Sequence, residues 1–92
     1  MEALYRIENY LNTAEIFTKY IMYNKDNEVI YIPINKISKI IDRKKTSREY
    51  YHITIHSDYG SSGNFNVLNL SFLYEIEKEG FIKTLLTLIE EL

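Results

Sequence analysis

Ninety-two residues make one small domain, and a mix of 46% apolar and 26% charged residues is that of a globular chain. With three Gly and one Pro it is neither collagen-like nor low-complexity, and without cysteine it has no disulfide framework, zinc ribbon or thiol nucleophile. A formal net charge of −2 argues mildly against nucleic acid as the partner of the whole surface.

No run of 18 apolar residues is present. The densest stretch, 30–41, is interrupted by Asn35, Lys36 and Lys39, which excludes a spanning helix. The start of the chain has no basic region followed by an apolar run, so no signal peptide is read there, and the expected location is cytoplasmic. Ile, Asn, Lys and Tyr supply 39 of the 92 residues, whereas Ala, Gly, Pro and Arg supply 9. The first group has A/T-rich codons, so a low-GC bacterium, its phage or a mobile element is the expected source.

In chain order, 2–12 reads as a short helix, because Leu4, Ile7, Tyr10 and Leu11 follow helical spacing. A strand is its close rival, and 15–24 carries the same ambiguity. The polar turn 24–27 and the β-branched run after it favour a hairpin, with strands at 16–23 and 28–33. Pro33 cannot donate to a ladder, so it ends its strand or lies on an edge. A turn at 34–37 leads to a strand from Ser38, followed by a polar loop over 42–48.

Residues 49–57 alternate. Tyr51, Ile53 and Ile55 fall on one face; Tyr50, His52, Thr54 and His56 fall on the other. A loop spans 58–63. In the returning strand 64–70, Phe65 and Val67 are odd but Leu68 and Leu70 are even, which predicts a β-bulge near Val67–Leu68. Residues 71–92 read as helix capped by Ser71, with Glu75 near its positive end. At about 100° per residue, Phe72, Leu73 and Ile76 face away from Ile82, Leu85, Leu86 and Ile89, so a break is expected at Gly80.

The expected fold is α+β over 1–92, a single domain. A twisted antiparallel sheet of four to five strands packs on one or two C-terminal helices broken near Gly80. The expected core is Ile30, Ile32, Ile53, Ile55, Phe65, Val67, Ile82, Leu85, Leu86 and Ile89.

Chemistry-bearing patterns are few. His52 and His56 stand four apart, which on a strand is roughly 13 Å, too far for one ion. His56, Ser57 and Asp58 lack the context of a hydrolase triad. The Gly60–Gly63 segment lacks the lysine and the following helix of a phosphate-binding loop. No metal or cofactor is expected.

Lys36, Lys39, Arg43, Lys44, Lys45 and Arg48 place six of the eleven basic residues within thirteen positions, opposed only by Asp42. The C-terminal segment is acidic. Tyrosine is in excess at nine residues, and Tyr20, Tyr31, Tyr50 and Tyr59 fall on or near expected strands as an aromatic binding surface. The function expected from these features is a non-enzymatic protein-binding module: a phage or mobile-element inhibitor of a host bacterial protein, working as a homodimer. The alternative is a nucleic-acid or nucleotide-binding protein that combines the basic 36–48 segment with sheet aromatics. An enzyme using His52 or His56 as base beside Asp58 is the third reading.

Overall fold

The computed structural model describes residues 2–25, 27–43, 50–58 and 67–92. Seven strands and one long helix follow one another in these segments: β1 (Tyr5–Glu8), β2 (Thr13–Ile16), β3 (Tyr20–Lys25), β4 (Glu28–Pro33), a 3-10 turn (Ile34–Lys36), β5 (Ile37–Arg43), β6 (Tyr51–Ser57), β7 (Val67–Phe72) and α1 (Glu75–Glu90). The fold is α+β and antiparallel throughout. The strands form two sheets, not the one expected: β1-β2-β3-β4 and β5-β6-β7, each a meander of sequential neighbours.

Residues 2–12 are not a helix. β1 pairs with β2 in the register Tyr5 to Ile16 and Glu8 to Thr13. The connection is an Asx turn, in which Asn9 Oδ1 accepts from the backbone N–H groups of Leu11 and Asn12 at 2.8 and 3.0 Å. Leu4 and Tyr10, counted above in a helical stripe, are exposed. The expected strand 16–23 is two strands. Ile16, Phe17, Tyr20 and Ile21 do not alternate, and a tight turn closed by Phe17 N–H donating to Tyr20 O (2.8 Å) sets Ile16 opposite Ile21. Both isoleucines then point inward and are fully buried. β4 ends at Pro33 and is an edge strand, so the lost N–H costs no ladder bond.

In the second sheet β6 keeps the expected alternation, with Ile53 and Ile55 buried. β7 pairs regularly with β6 from Val67 to Phe72, so the bulge expected at Val67–Leu68 is absent there. Leu68, Leu70 and Phe72 form its inner face, and Val67 lies on the outer one, 46% exposed. The register shift sits in β5 instead, between Ile37 and Lys39.

α1 runs unbroken through Gly80, and its N-cap is Tyr74, not Ser71, which belongs to β7. The expected break came from assigning Phe72 to the helix. With Phe72 on a strand and Ile76 exposed, one inward face suffices, built on Phe81 and Leu85. Gly80 serves a close approach: a Cβ there would collide with the Tyr5 hydroxyl and ring. That hydroxyl donates to Glu77 O at 3.1 Å, and the Tyr5 ring meets Phe81 edge-on.

One cluster of buried side chains joins all layers: Ile7, Ile16, Ile21 and Ile32 from the first sheet, Ile53, Ile55, Leu70 and Phe72 from the second, and Phe81 and Leu85 from α1. Each such side chain contributes roughly 1.5–3 kcal/mol by leaving water. Of the expected core, Ile32, Ile53, Ile55 and Leu85 are buried; Ile30, Ile82 and Ile89 are partly so; Leu86 is exposed, as Val67 is. Phe65 lies outside the described residues.

Candidate functional site

Strand alternation divides each sheet into a face on the core and a face outward, and the two outward faces differ in chemistry. On the first sheet the register sets Arg6, Glu15, Met22 and Tyr31 in one row, Glu8, Thr13, Asn24 and Val29 in the next, and Tyr20 opposite Pro33. The β1–β2 half is charged. Arg6 pairs with Glu8 at 2.8 Å and reaches Glu15 at 3.6 Å. The β3–β4 half is apolar and aromatic. Tyr20 stacks on Phe17 (5.0 Å between centroids) and meets Tyr31 edge-on at 5.6 Å. Val29 and Tyr31 are about half exposed, at 48% and 51%.

On the second sheet the outward rows are Lys39–His56–Val67, Ile41–Thr54–Asn69 and Arg43–His52–Ser71. None of these nine residues is a carboxylate. Thr54 is buried although it faces outward, because its neighbours close over it. Arg43 Nε donates to Thr54 Oγ1 at 2.9 Å, and Thr54 Oγ1 donates to Asn69 Oδ1 at 2.9 Å. Ser71 Oγ and His52 Nδ1 lie 3.1 Å apart. Tyr50 precedes this sheet, its ring 6.4 Å from that of His52. Its hydroxyl bonds that of Tyr10, whose ring meets it edge-on at 6.1 Å.

Three members of the basic segment fall within the described residues. Lys39 and Arg43 share the outward face of β5, whereas Lys36 stands on the 3-10 turn. Lys44, Lys45 and Arg48 lie outside the described residues, as does Tyr59. Of the described tyrosines of the expected aromatic surface, Tyr20 and Tyr31 belong to the first sheet, and Tyr50 lies beside His52 on the second. Tyr10 and Asn69 were missed. Tyr10 sits in a segment read as helix, and the place of Asn69 on the outward face depended on the β7 phase.

β6 holds His52 and His56 four residues apart, each across from a cation, Arg43 and Lys39 respectively. Among the described residues no three His, Asp or Glu side chains are grouped to hold a metal. A concavity of about 490 Å³ is an open groove between β5 and α1 lined by Ile82 and Leu86 with Asp42, Glu79 and Lys83. It contains neither histidine.

On the inward side of β5, Lys78 of α1 is buried and donates to Asp42 at 2.8 Å, with its ammonium 5.6 Å from the centre of the Tyr51 ring. The hydrogen bond to Asp42 holds the Lys78 pKa above its ordinary value against the opposing effect of burial. No described helix is long and apolar enough to cross a membrane. No protein-family model, curated protein or solved structure matches the chain.

Proposed function

We propose that this chain is a non-enzymatic protein-binding module that engages its partner along β4 and the aromatic half of the first sheet. One observation carries the reading: among the described residues, β4 is the one sheet edge of the four with nothing protecting it. Native edges are blunted by shortness, charge, bulges or cover. β1 is four residues long and carries Arg6 and Glu8. β5 has its register shift and the charges of Lys39 and Arg43. β7 is covered, since Asn12 bonds both the N–H and the C=O of Ser71 and Tyr23 donates to Asn69 O at 3.3 Å. β4 has Glu28 and Pro33 only at its ends, and between them runs Val29-Ile30-Tyr31-Ile32. An added strand would gain main-chain hydrogen bonds from this edge and side-chain contacts from Tyr31, Tyr20 and Val29.

Small size and A/T-rich residue usage support the narrower reading of a phage or mobile-element inhibitor acting on a bacterial protein. Self-pairing through the same edge would make the homodimer. The test is affinity capture from a low-GC bacterial lysate with the wild type and with the double variant Val29→Lys, Tyr31→Lys, which adds edge charges while leaving the core intact. A stoichiometric partner held by the wild type and released by the variant supports the proposal. Equal capture by both, or none by either, overturns it. Light scattering at high concentration reads the homodimer: a wild-type dimer that the variant dissolves supports self-pairing, and a wild-type monomer rules it out.

A further inference from the structure

The geometry points to a second, separate binding surface: the outward face of β5-β6-β7, with its aromatic end at Tyr50 and Tyr10, is built to hold single-stranded nucleic acid. Charge supplies the first argument. Lys39 and Arg43 stand on the same side of β5, roughly 13 Å apart along the strand, and His56 and His52 face them across the ladder. The nine outward positions include no acidic residue to neutralise them. The one carboxylate of β5, Asp42, points to the other side and is engaged by Lys78. Two cationic positions spaced along a strand suit a polymer with repeating negative charge better than one small anion.

Preorganisation supplies the second. The Arg43 side chain is held across the sheet by its Nε bond to Thr54, which is in turn tied to Asn69. That leaves the terminal guanidinium nitrogens for a phosphate, with little side-chain freedom left to lose on binding. His52 is held by Ser71 in the same way, leaving its other ring nitrogen for a ligand.

The aromatic end separates single strands from other polyanions. Tyr10, Tyr50 and His52 form a row of rings at successive centroid distances of 6.1 and 6.4 Å beside Arg43. Tyr10 is 74% exposed, although nothing in its turn requires an aromatic residue there. Unstacked bases lie on such rings, and the cations follow the backbone. A duplex keeps its bases stacked on one another and could use only the cations; an acidic peptide has no bases.

The test measures binding of fluorescein-labelled dT20 and rU20, a 20-bp duplex and an oligoglutamate peptide from 20 to 200 mM salt. Either single strand should bind more tightly than the duplex or the peptide. The variant Lys39→Gln, Arg43→Gln should lower the slope of log affinity against log salt by about 1.4, roughly 0.7 for each lost phosphate contact. Tyr10→Ala and Tyr50→Ala should each weaken binding about tenfold and leave that slope unchanged, because stacking releases no counterions. Thermal melting of each variant separates lost contacts from lost folding. No binding of dT20 or rU20 at 20 mM salt, a slope untouched by the double variant, or equal affinity for the duplex or the peptide would overturn the proposal. The β4 variant Val29→Lys, Tyr31→Lys should bind dT20 as the wild type does, so the two surfaces stand or fall independently.

Discussion

The two sheets share a topology and a core, yet they meet α1 and the solvent by different means. The four-stranded sheet meets the helix by close fit: the Tyr5 ring lies against Gly80, and its hydroxyl donates to Glu77 O. The three-stranded sheet meets it through an ion pair between the buried Lys78 and the half-exposed Asp42. Outside, the first sheet ends in an open apolar edge and the second in a cationic, acid-free face. A meander needs alternation only on its inner side to fold, so each outer face is free to carry its own chemistry.

The largest effect should come where the comparison vanishes. Phe72 of the second sheet is fully buried and lies 5.5 Å from Phe81 of α1, within the cluster that also holds the first sheet. Phe72→Ala should cost about 3–5 kcal/mol, a large share of the roughly 5–15 kcal/mol that holds a typical domain folded. Denaturant titration followed by circular dichroism and by tyrosine fluorescence should show one coincident transition. Two separated transitions would mean that the sheets fold as independent units.

Next is Asn12, a buried side chain that serves as a strand partner. Its amide donates to Ser71 O at 3.1 Å and its carbonyl accepts from Ser71 N–H at 2.9 Å, joining the first sheet to the edge of β7 away from β6. Asn12→Ala leaves the Ser71 N–H without its partner, while Ser71 O keeps the Asn9 amide at 3.1 Å, and should cost about 2 kcal/mol in the same titration. Hydrogen exchange should accelerate at Ser71 first.

Smaller and opposite effects should distinguish the two attachments to the helix. Gly80→Ala gains about 1 kcal/mol of helix propensity but drives a methyl into the Tyr5 ring, for a net loss of about 1–2 kcal/mol. In a Tyr5→Leu background the same change should become stabilising by about 1 kcal/mol, and a double-mutant cycle reads the difference. If Gly80→Ala stabilises the wild type, the close-fit account is wrong.

The ion pair should show least at neutral pH, where Asp42→Asn costs about 1 kcal/mol, because Asp42 is half exposed and well solvated. Its signature is alkaline. Lys78 is raised above its ordinary 10.5 by Asp42, and Tyr5 is raised above 10.0, first by burial and then by Glu77. A raised folded-state pKa gives stability that is complete below the unfolded value and is lost as pH rises through the folded one. Melting temperature should therefore hold to about pH 9.5 and fall from about pH 10 upward. Lys78→Met should remove one part of that fall and Tyr5→Phe the other.

Local chemistry made several parts legible. The β6 alternation, the 28–33 strand, the turn after Pro33 and the helical C-terminal segment all follow from short-range periodicity and backbone constraints. The histidines were correctly kept apart by strand spacing alone. Other features depended on partners distant in sequence. Asn9 and Asn12 serve as an edge cover only because Ser71 lies alongside. Phe72 left the helix because β6 offered it a ladder position opposite Tyr51. Gly80 read as a helix breaker when it is the hollow that admits Tyr5. That Lys39 and Arg43 share the outward face of β5 follows from the register after the shift between Ile37 and Lys39, which chain order does not show.

By itself the sequence determined the α+β class, the antiparallel character of the strands and the absence of cysteine chemistry, because each depends on composition or on neighbours within a few positions. Tertiary structure decided that there are two sheets, that the helix is unbroken and that Tyr10 and Tyr50 stand beside Arg43 while Tyr20 and Tyr31 do not. These are contacts between segments far apart in the chain, and which of them form depends on how the whole core closes.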